Sequence, residues 1–139
     1  MANTKLAFVA ILAILLQAST LRAAARHNAG GGTPGVMTIN DFDIGEGFGP
    51  SECDGRYHSN RDMLAALSTR WYEGGRRCER MIRITSTHTG RTVEAKVVDE
   101  CDSKQGCADN IVDTSLALWK ALGLDANADD AAVVTWSDA

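Results

Sequence analysis

Apolar residues crowd the start of this chain and thin out afterwards. Lys5 precedes an unbroken apolar run over residues 6–16, followed by Gln17, Ala18, Ser19 and Thr20 and then by Ala23-Ala24-Ala25. A charged start, a short apolar centre and a small-residue end form the pattern of a secretory signal peptide. A membrane-spanning helix needs roughly 20 apolar residues, and the run is too short. It also lacks the polar face that a surface helix of a globular core requires. Residues 1–25 are therefore read as a signal peptide cleaved near Ala25. Residues 26–34, with Gly30, Gly31, Gly32 and Pro34, read as a flexible leader without a large apolar anchor.

From Gly35 onward the spacing changes to that of strands. Residues 36–42 place Val36, Met37, Ile39 and Phe42 among Thr38 and Asn40, a strand pattern. Gly45, Gly47 and Gly49 mark residues 43–50 as a loop. It is not a phosphate cradle, since Pro50 and Cys53 follow where a helix N-terminus would be needed. Residues 65–72 predict a further strand, turned by Gly74-Gly75. Residues 81–85 and 93–98 flank Thr89-Gly90 as a hairpin, and the second run alternates apolar and charged through Val93, Ala95 and Val97. Leu116, Trp119 and Leu122 predict a helix over 114–122, with Asp113 or Thr114 as its cap and Gly123 as its end. Val133 to Trp136 supplies a last strand. Short strands around one short helix define an all-β or β-dominated barrel.

Composition sharpens this picture once the leader is set aside. The chain has 139 residues, enough for one domain. Residues 1–25 hold 18 of its 62 apolar residues, leaving a sparse core for the remainder. All four cysteines, Cys53, Cys78, Cys101 and Cys107, lie in that remainder. In a secreted chain they are two disulfides, and sequence alone leaves three pairings open. A metal site is not expected, because no C-x-x-C pair exists and His27, His58 and His88 have no ligand-like spacing. Loss of Lys5 and Arg22 takes the formal charge from −4 to −6. Residues 54–91 carry eight Arg against four acids, whereas residues 92–139 carry three Lys against ten acids. The arginines read as a solvated face or as a patch for an acidic partner. No aromatic-and-basic interleaving suggests nucleic acid.

The densest candidate chemistry is Val97-Val98-Asp99-Glu100-Cys101-Asp102, three acids around a half-cystine at a strand end, with Asp113 beyond it. Two carboxylates across a cleft are what glycoside hydrolysis requires. Each also has a structural reading: Asp113 as a helix N-cap, Asp99 as an acceptor for loop amides. His58 beside Tyr57 could serve acid–base chemistry or be a hydrogen-bonded surface residue. Trp71, Tyr72, Trp119 and Trp136 are candidates for a sugar-stacking platform, Trp119 being better placed for the core. No Ser occupies a G-x-S-x-G elbow, and oxidised cysteines are not nucleophiles.

Several motifs in one order carry a resemblance. Pro50-Ser51-Glu52-Cys53-Asp54-Gly55, Tyr57-His58-Ser59, Ala66-Leu67-Ser68-Thr69, residues 97–103, Gly106-Cys107, Asn110-Ile111-Val112-Asp113, residues 119–123 and Thr135-Trp136-Ser137-Asp138 resemble the kiwellin family, with the cereal ripening-related proteins as the near match. The similarity covers residues 35–139. It implies a six-stranded double-psi β-barrel related to barwin and to the first domain of expansins, stapled by disulfides. It also implies secretion to the plant apoplast and a non-enzymatic binding role in ripening or defence. Partners implied are a secreted pathogen protein, such as a fungal chorismate mutase, or a cell-wall glycan. The expected protein is a monomer without cofactor, nucleic acid or membrane once the signal peptide is removed. Candidate binding residues are Tyr57, His58, Asp99 and Asp113. In the alternative, an expansin- or cellulase-like wall-modifying protein, Asp99 and Asp113 are catalytic; Asp113-Thr114-Ser115 is similar to an acidic motif of such barrels. One departure stands out: only Ala108 and Asp109 separate Cys107 from Asn110, where many kiwellins carry a longer insertion with a further Cys.

Overall fold

A computed structural model describes residues 31–45 and 49–139. Residues 1–30, which hold the stretch read as a signal peptide and the start of the expected leader, lie outside the described residues. Six strands close a barrel: β1 Thr33–Ile39, β2 Leu64–Ser68, β3 Met81–Ser86, β4 Thr92–Cys101, β5 Ile111–Thr114 and β6 Ala132–Asp138. Around the barrel the order is β1-β5-β2-β4-β3-β6. β1 runs parallel to β5 and β2 parallel to β4, while the remaining pairs are antiparallel. Parallel neighbours need long crossovers, and the only hairpin is β3–β4, where the Thr89-Gly90 turn was expected. The barrel is a six-stranded double-psi β-barrel.

Its interior is one apolar cluster that includes Met37, Leu67, Ile82, Ile84, Val97, Val112, Leu118 and Trp119, all fully buried. β2 is buried on both faces. Ala65 and Leu67 point inward, whereas Leu64 and Ala66 join Phe42 and Val98 in a second, outer cluster. Phe42 belongs to the long β1–β2 connection, which thereby covers part of the barrel's outside.

Three stretches differ from expectation. β1 starts at Thr33, inside the stretch read as a flexible leader, because Thr33 and Pro34 pair with Trp136 and Thr135 of β6. The 65–72 run is strand only to Ser68 and then turns into a short helix, α1 Thr69–Tyr72. A strand would point Trp71 and Tyr72 to opposite faces, whereas the helical turn packs both against the core. Gly74 and Gly75, with φ of +64° and +93°, then reverse the chain. The last correction is at residues 111–114, which form β5 instead of the helix start. The helix, α2 Leu116–Ala121, begins after Ser115, so Asp113 is not its cap. Ser115 Oγ accepts from Leu64 N–H and donates to the Asp62 carbonyl, tying helix and strand together. Gly123 closes α2 as expected, its N–H bonding the Lys120 carbonyl.

The disulfides pair Cys53 with Cys78 and Cys101 with Cys107. The first pins the β1–β2 connection to the core, where both sulfur-bearing side chains pack. The second closes a short loop after β4.

Candidate functional site: an acidic groove over two carboxylates

A bulge in β4 builds this site. Ala65 pairs with Val97, but Ala66 pairs with Asp99, so β4 spends an extra residue at Val98. A bulge of one residue reverses which face the following side chains take. Val97 thereby enters the barrel interior, Val98 fills the outer cluster, and Asp99 comes to lie beside Ala66. Ala66 also pairs with Asp113 of β5, and Asp113 with Thr38 of β1. Asp99, Ala66, Asp113 and Thr38 thus form one row across four adjacent strands. With strands about 4.8 Å apart, the two acids' Cα atoms are roughly 10 Å apart. The intervening side chain is a single methyl group, so nothing bulky separates the carboxylates.

The two acids of the row, Asp99 and Asp113, line an open groove of about 350 Å³, whereas Ala66 is buried with Phe42 in the outer cluster. Residues 40–42 and 49–52 line one side and residues 101–107 the other. Among the described residues six acids line it, Asp41, Glu52, Asp99, Glu100, Asp102 and Asp113, without any lysine, arginine or histidine. Most of these acids also hold the walls. Asp99 Oδ1 accepts from the backbone N–H of Glu52 and of Glu100, both at 2.8 Å. This is the loop-amide role foreseen for it, and it locks the β1–β2 connection onto β4. Glu100 Oε2 accepts from Thr69 Oγ1–H at 2.7 Å, and Asp102 Oδ1 from Lys104 N–H. Asp41 Oδ1 accepts from Asn60 Nδ2–H at 2.6 Å.

Asp113 is different. Its side chain is held by one short bond, from Thr38 Oγ1–H at 2.7 Å. Burial pushes its carboxyl up to about 6; the Thr38 hydrogen bond opposes this, and the nearby charge of Asp99 adds to it. Burial also raises Asp99, but the two amide bonds offset part of the effect. Asp113 therefore holds its proton into the mildly acidic range, where a carboxyl can both donate and accept. Thr38 is positioned in turn by its carbonyl, which accepts from Thr114 Oγ1–H and Trp119 Nε1–H. Replacing Thr38 by Val removes the one bond that favours the ionised form. The expected outcome is an Asp113 midpoint about one pH unit higher in a carboxyl-carbon NMR titration.

The remaining candidates lie elsewhere. His58 does not line the groove; its Nε2–H donates to Asp54 Oδ2 at 2.9 Å, a local loop contact. Tyr57 is partly exposed and likewise off the groove. The four aromatics make no platform. Tyr72, Trp119 and Trp136 are buried, and Trp71 packs edge-on against Trp136 with centroids 5.1 Å apart. Arg77 caps Trp136 at 5.2 Å and bonds Asp138, so this arginine holds structure together instead of facing a partner. Asp41 and Glu52 are the groove residues that sequence reasoning missed. Their contribution depends on how the β1–β2 connection folds back, which no local pattern announces.

A closed double-psi barrel with an open groove across its outer face defines the expansin-like class. Two structures of Clavibacter michiganensis expansin, one apo and one a point mutant in complex with cellohexaose, superpose with a TM-score of 0.61 each. They are 26% and 25% identical, covering 77% of this chain and 50% of theirs. The chain belongs to the kiwellin family: the family model described as Kiwellin-1 matches residues 17–139. It is 64% identical over 110 residues to ripening-related protein 6 of Oryza sativa subsp. japonica. It is 53% identical over 116 residues to kiwellin of Actinidia chinensis var. chinensis. These alignments cover 78% and 76% of this chain, but 65% and 54% of the relatives' own lengths.

Proposed function

We propose that this domain is a secreted, non-enzymatic binding protein of the plant extracellular space, and that the acidic groove is its binding face. One observation carries the preference for binding over catalysis. Asp99, the acid that would have to act as base or nucleophile opposite Asp113, has an oxygen committed to two backbone amides as a loop clamp. With Oδ1 engaged by both amides, Asp99 holds the β1–β2 connection against β4, a duty that suits a rigid recognition surface. Six acids without a lining cation complement a basic segment of a protein partner, and charge complementarity of this kind sets specificity and association rate. A secreted pathogen protein such as a fungal chorismate mutase is the partner class in keeping with the family resemblance.

The test is capture from apoplastic fluid of infected tissue by the immobilised domain, comparing wild type with Glu52→Lys/Asp102→Lys. Wild type should retain a basic protein in low salt, and the charge-reversed variant should retain at least about tenfold less. Equal retention by both, or none by either, overturns the reading.

A second reading has its own support: Asp113 with its raised carboxyl is suited to general-acid work, and a structural neighbour was solved with cellohexaose. It makes the protein a wall-glycan-modifying agent with Asp113 and Asp99 as the reacting pair. Reducing-end release from soluble β-glucans that disappears in Asp113→Asn is its signature, and the binding reading expects none from wild type.

A further inference from the structure

The two disulfides sit in different surroundings. Cys53 and Cys78 pack against the barrel core, and the Tyr72 hydroxyl lies 3.4 Å from the Cys78 sulfur. Cys101 and Cys107 instead line the groove, at the foot of a wall whose residues 103–106 are all exposed. That wall is almost self-contained. Gln105 and Cys107 N–H both bond the Asp102 carbonyl, Gly106 N–H bonds the Ser103 carbonyl, and Lys104 N–H bonds the Asp102 side chain. Among the described residues, the bond that ties 103–107 to the rest of the barrel is Ser103 N–H to Thr69 Oγ1, at 2.9 Å. Apart from that bond, the Cys101–Cys107 bridge is what holds the wall in place, and it lies within reach of a dissolved thiolate.

We propose that Cys101–Cys107 is a reducible latch on the groove, opened by a dithiol reductant of the thioredoxin type while Cys53–Cys78 stays closed. The reductant thiolate attacks one of the two half-buried, groove-lining sulfurs, breaking the bridge and leaving the other cysteine as a thiol once it takes up a proton. The reductant's second thiolate then attacks the reductant's own sulfur in the mixed disulfide, expelling the remaining cysteine as a thiolate that takes up a proton. The net change is one protein disulfide and two reductant thiols converted into two cysteine thiols and one reductant disulfide. Opening frees Gln105, Gly106 and Cys107 from the groove edge without touching the barrel interlock, since β4 and β5 remain paired through β2. The consequence for a bound partner rests on the groove being the binding face; the opening itself does not.

The experiment therefore needs no ligand. The folded protein is exposed to graded dithiothreitol, trapped with iodoacetamide and mapped by mass spectrometry, with amide hydrogen exchange run on the same samples. Cys101 and Cys107 should be alkylated at least about tenfold faster than Cys53 and Cys78, with exchange rising first and most in residues 102–109, well ahead of β1–β6. The Cys101→Ser/Cys107→Ser variant should show the same exchange pattern without reductant. Alkylation of all four cysteines together, or of Cys53 and Cys78 first, overturns the latch. So does an exchange profile in which residues 102–109 stay as protected as in the oxidised protein. If the latch opens as described while charge reversal leaves partner capture unchanged, the binding reading alone has failed.

Discussion

Asp113→Asn is expected to stabilise the barrel by up to about 3 kcal/mol near pH 7.5 and to leave it nearly unchanged near pH 3. The sign follows from the direction of the shift. The folded protein holds the Asp113 proton up to about pH 6, whereas the unfolded chain releases it near the ordinary aspartate value of 3.8. Between those values the native state binds more protons, so stability falls as pH rises, and above about 6 the full cost of a buried charge is present. An asparagine carries no such charge, and its amide oxygen still accepts the Thr38 hydroxyl that now reaches the carboxylate at 2.7 Å. Chemical denaturation of both proteins across this range checks it.

The second large effect concerns the staple. Removing Cys53–Cys78 as the double alanine variant should cost about 3.5 kcal/mol, against about 2.5 for Cys101–Cys107, on the loop-closure account. The difference arises because the first bridge spans 25 positions and the second 6. The first also anchors the β1–β2 connection, whose Cys53 N–H bonds the Val98 carbonyl and whose Phe42 fills the outer cluster. Loss of this bridge should therefore lower the denaturation midpoint and also loosen the wall that carries Glu52. Loss of the other leaves the midpoint closer to wild type. Urea unfolding of the two double variants, followed by tryptophan fluorescence, separates the cases.

How far the sequence could be read depended on how local each signal was. The β3–β4 hairpin was legible because Val93, Ala95 and Val97 alternate and Thr89-Gly90 turns the chain between neighbours. α2 was legible in its stripe and in Gly123, but its start was not. β5 is four residues long and abuts Ser115, so its Asp113 looked like a cap. The bulge at Val98 was hidden for a related reason. Two adjacent valines, both fully buried, break the alternation, and only pairing with β2 reveals that they occupy two different cores. The Asp99–Asp102 cluster and Asp113 were visible as candidates from residue type alone. Their union in one groove was not, since it is set by Ala66 pairing with both neighbouring strands. The aromatic platform failed on long-range grounds: Trp136 and Trp71 close on each other from strands and helices far apart in sequence. Disulfide pairing, too, waited on the topology.

This chain and the expansin barrel share a scaffold. Here Asp99 is a structural clamp and Asp113 an isolated, proton-retaining carboxyl, set side by side by one extra residue in β4. That placement is the centre of the account, and a carbon-13 carboxyl NMR titration of wild type and Asp99→Asn tests it most directly. The account predicts an Asp113 midpoint of about 6 in wild type that moves down when the Asp99 charge is removed. An Asp113 midpoint in the ordinary carboxylate range, indifferent to Asp99→Asn, would contradict it.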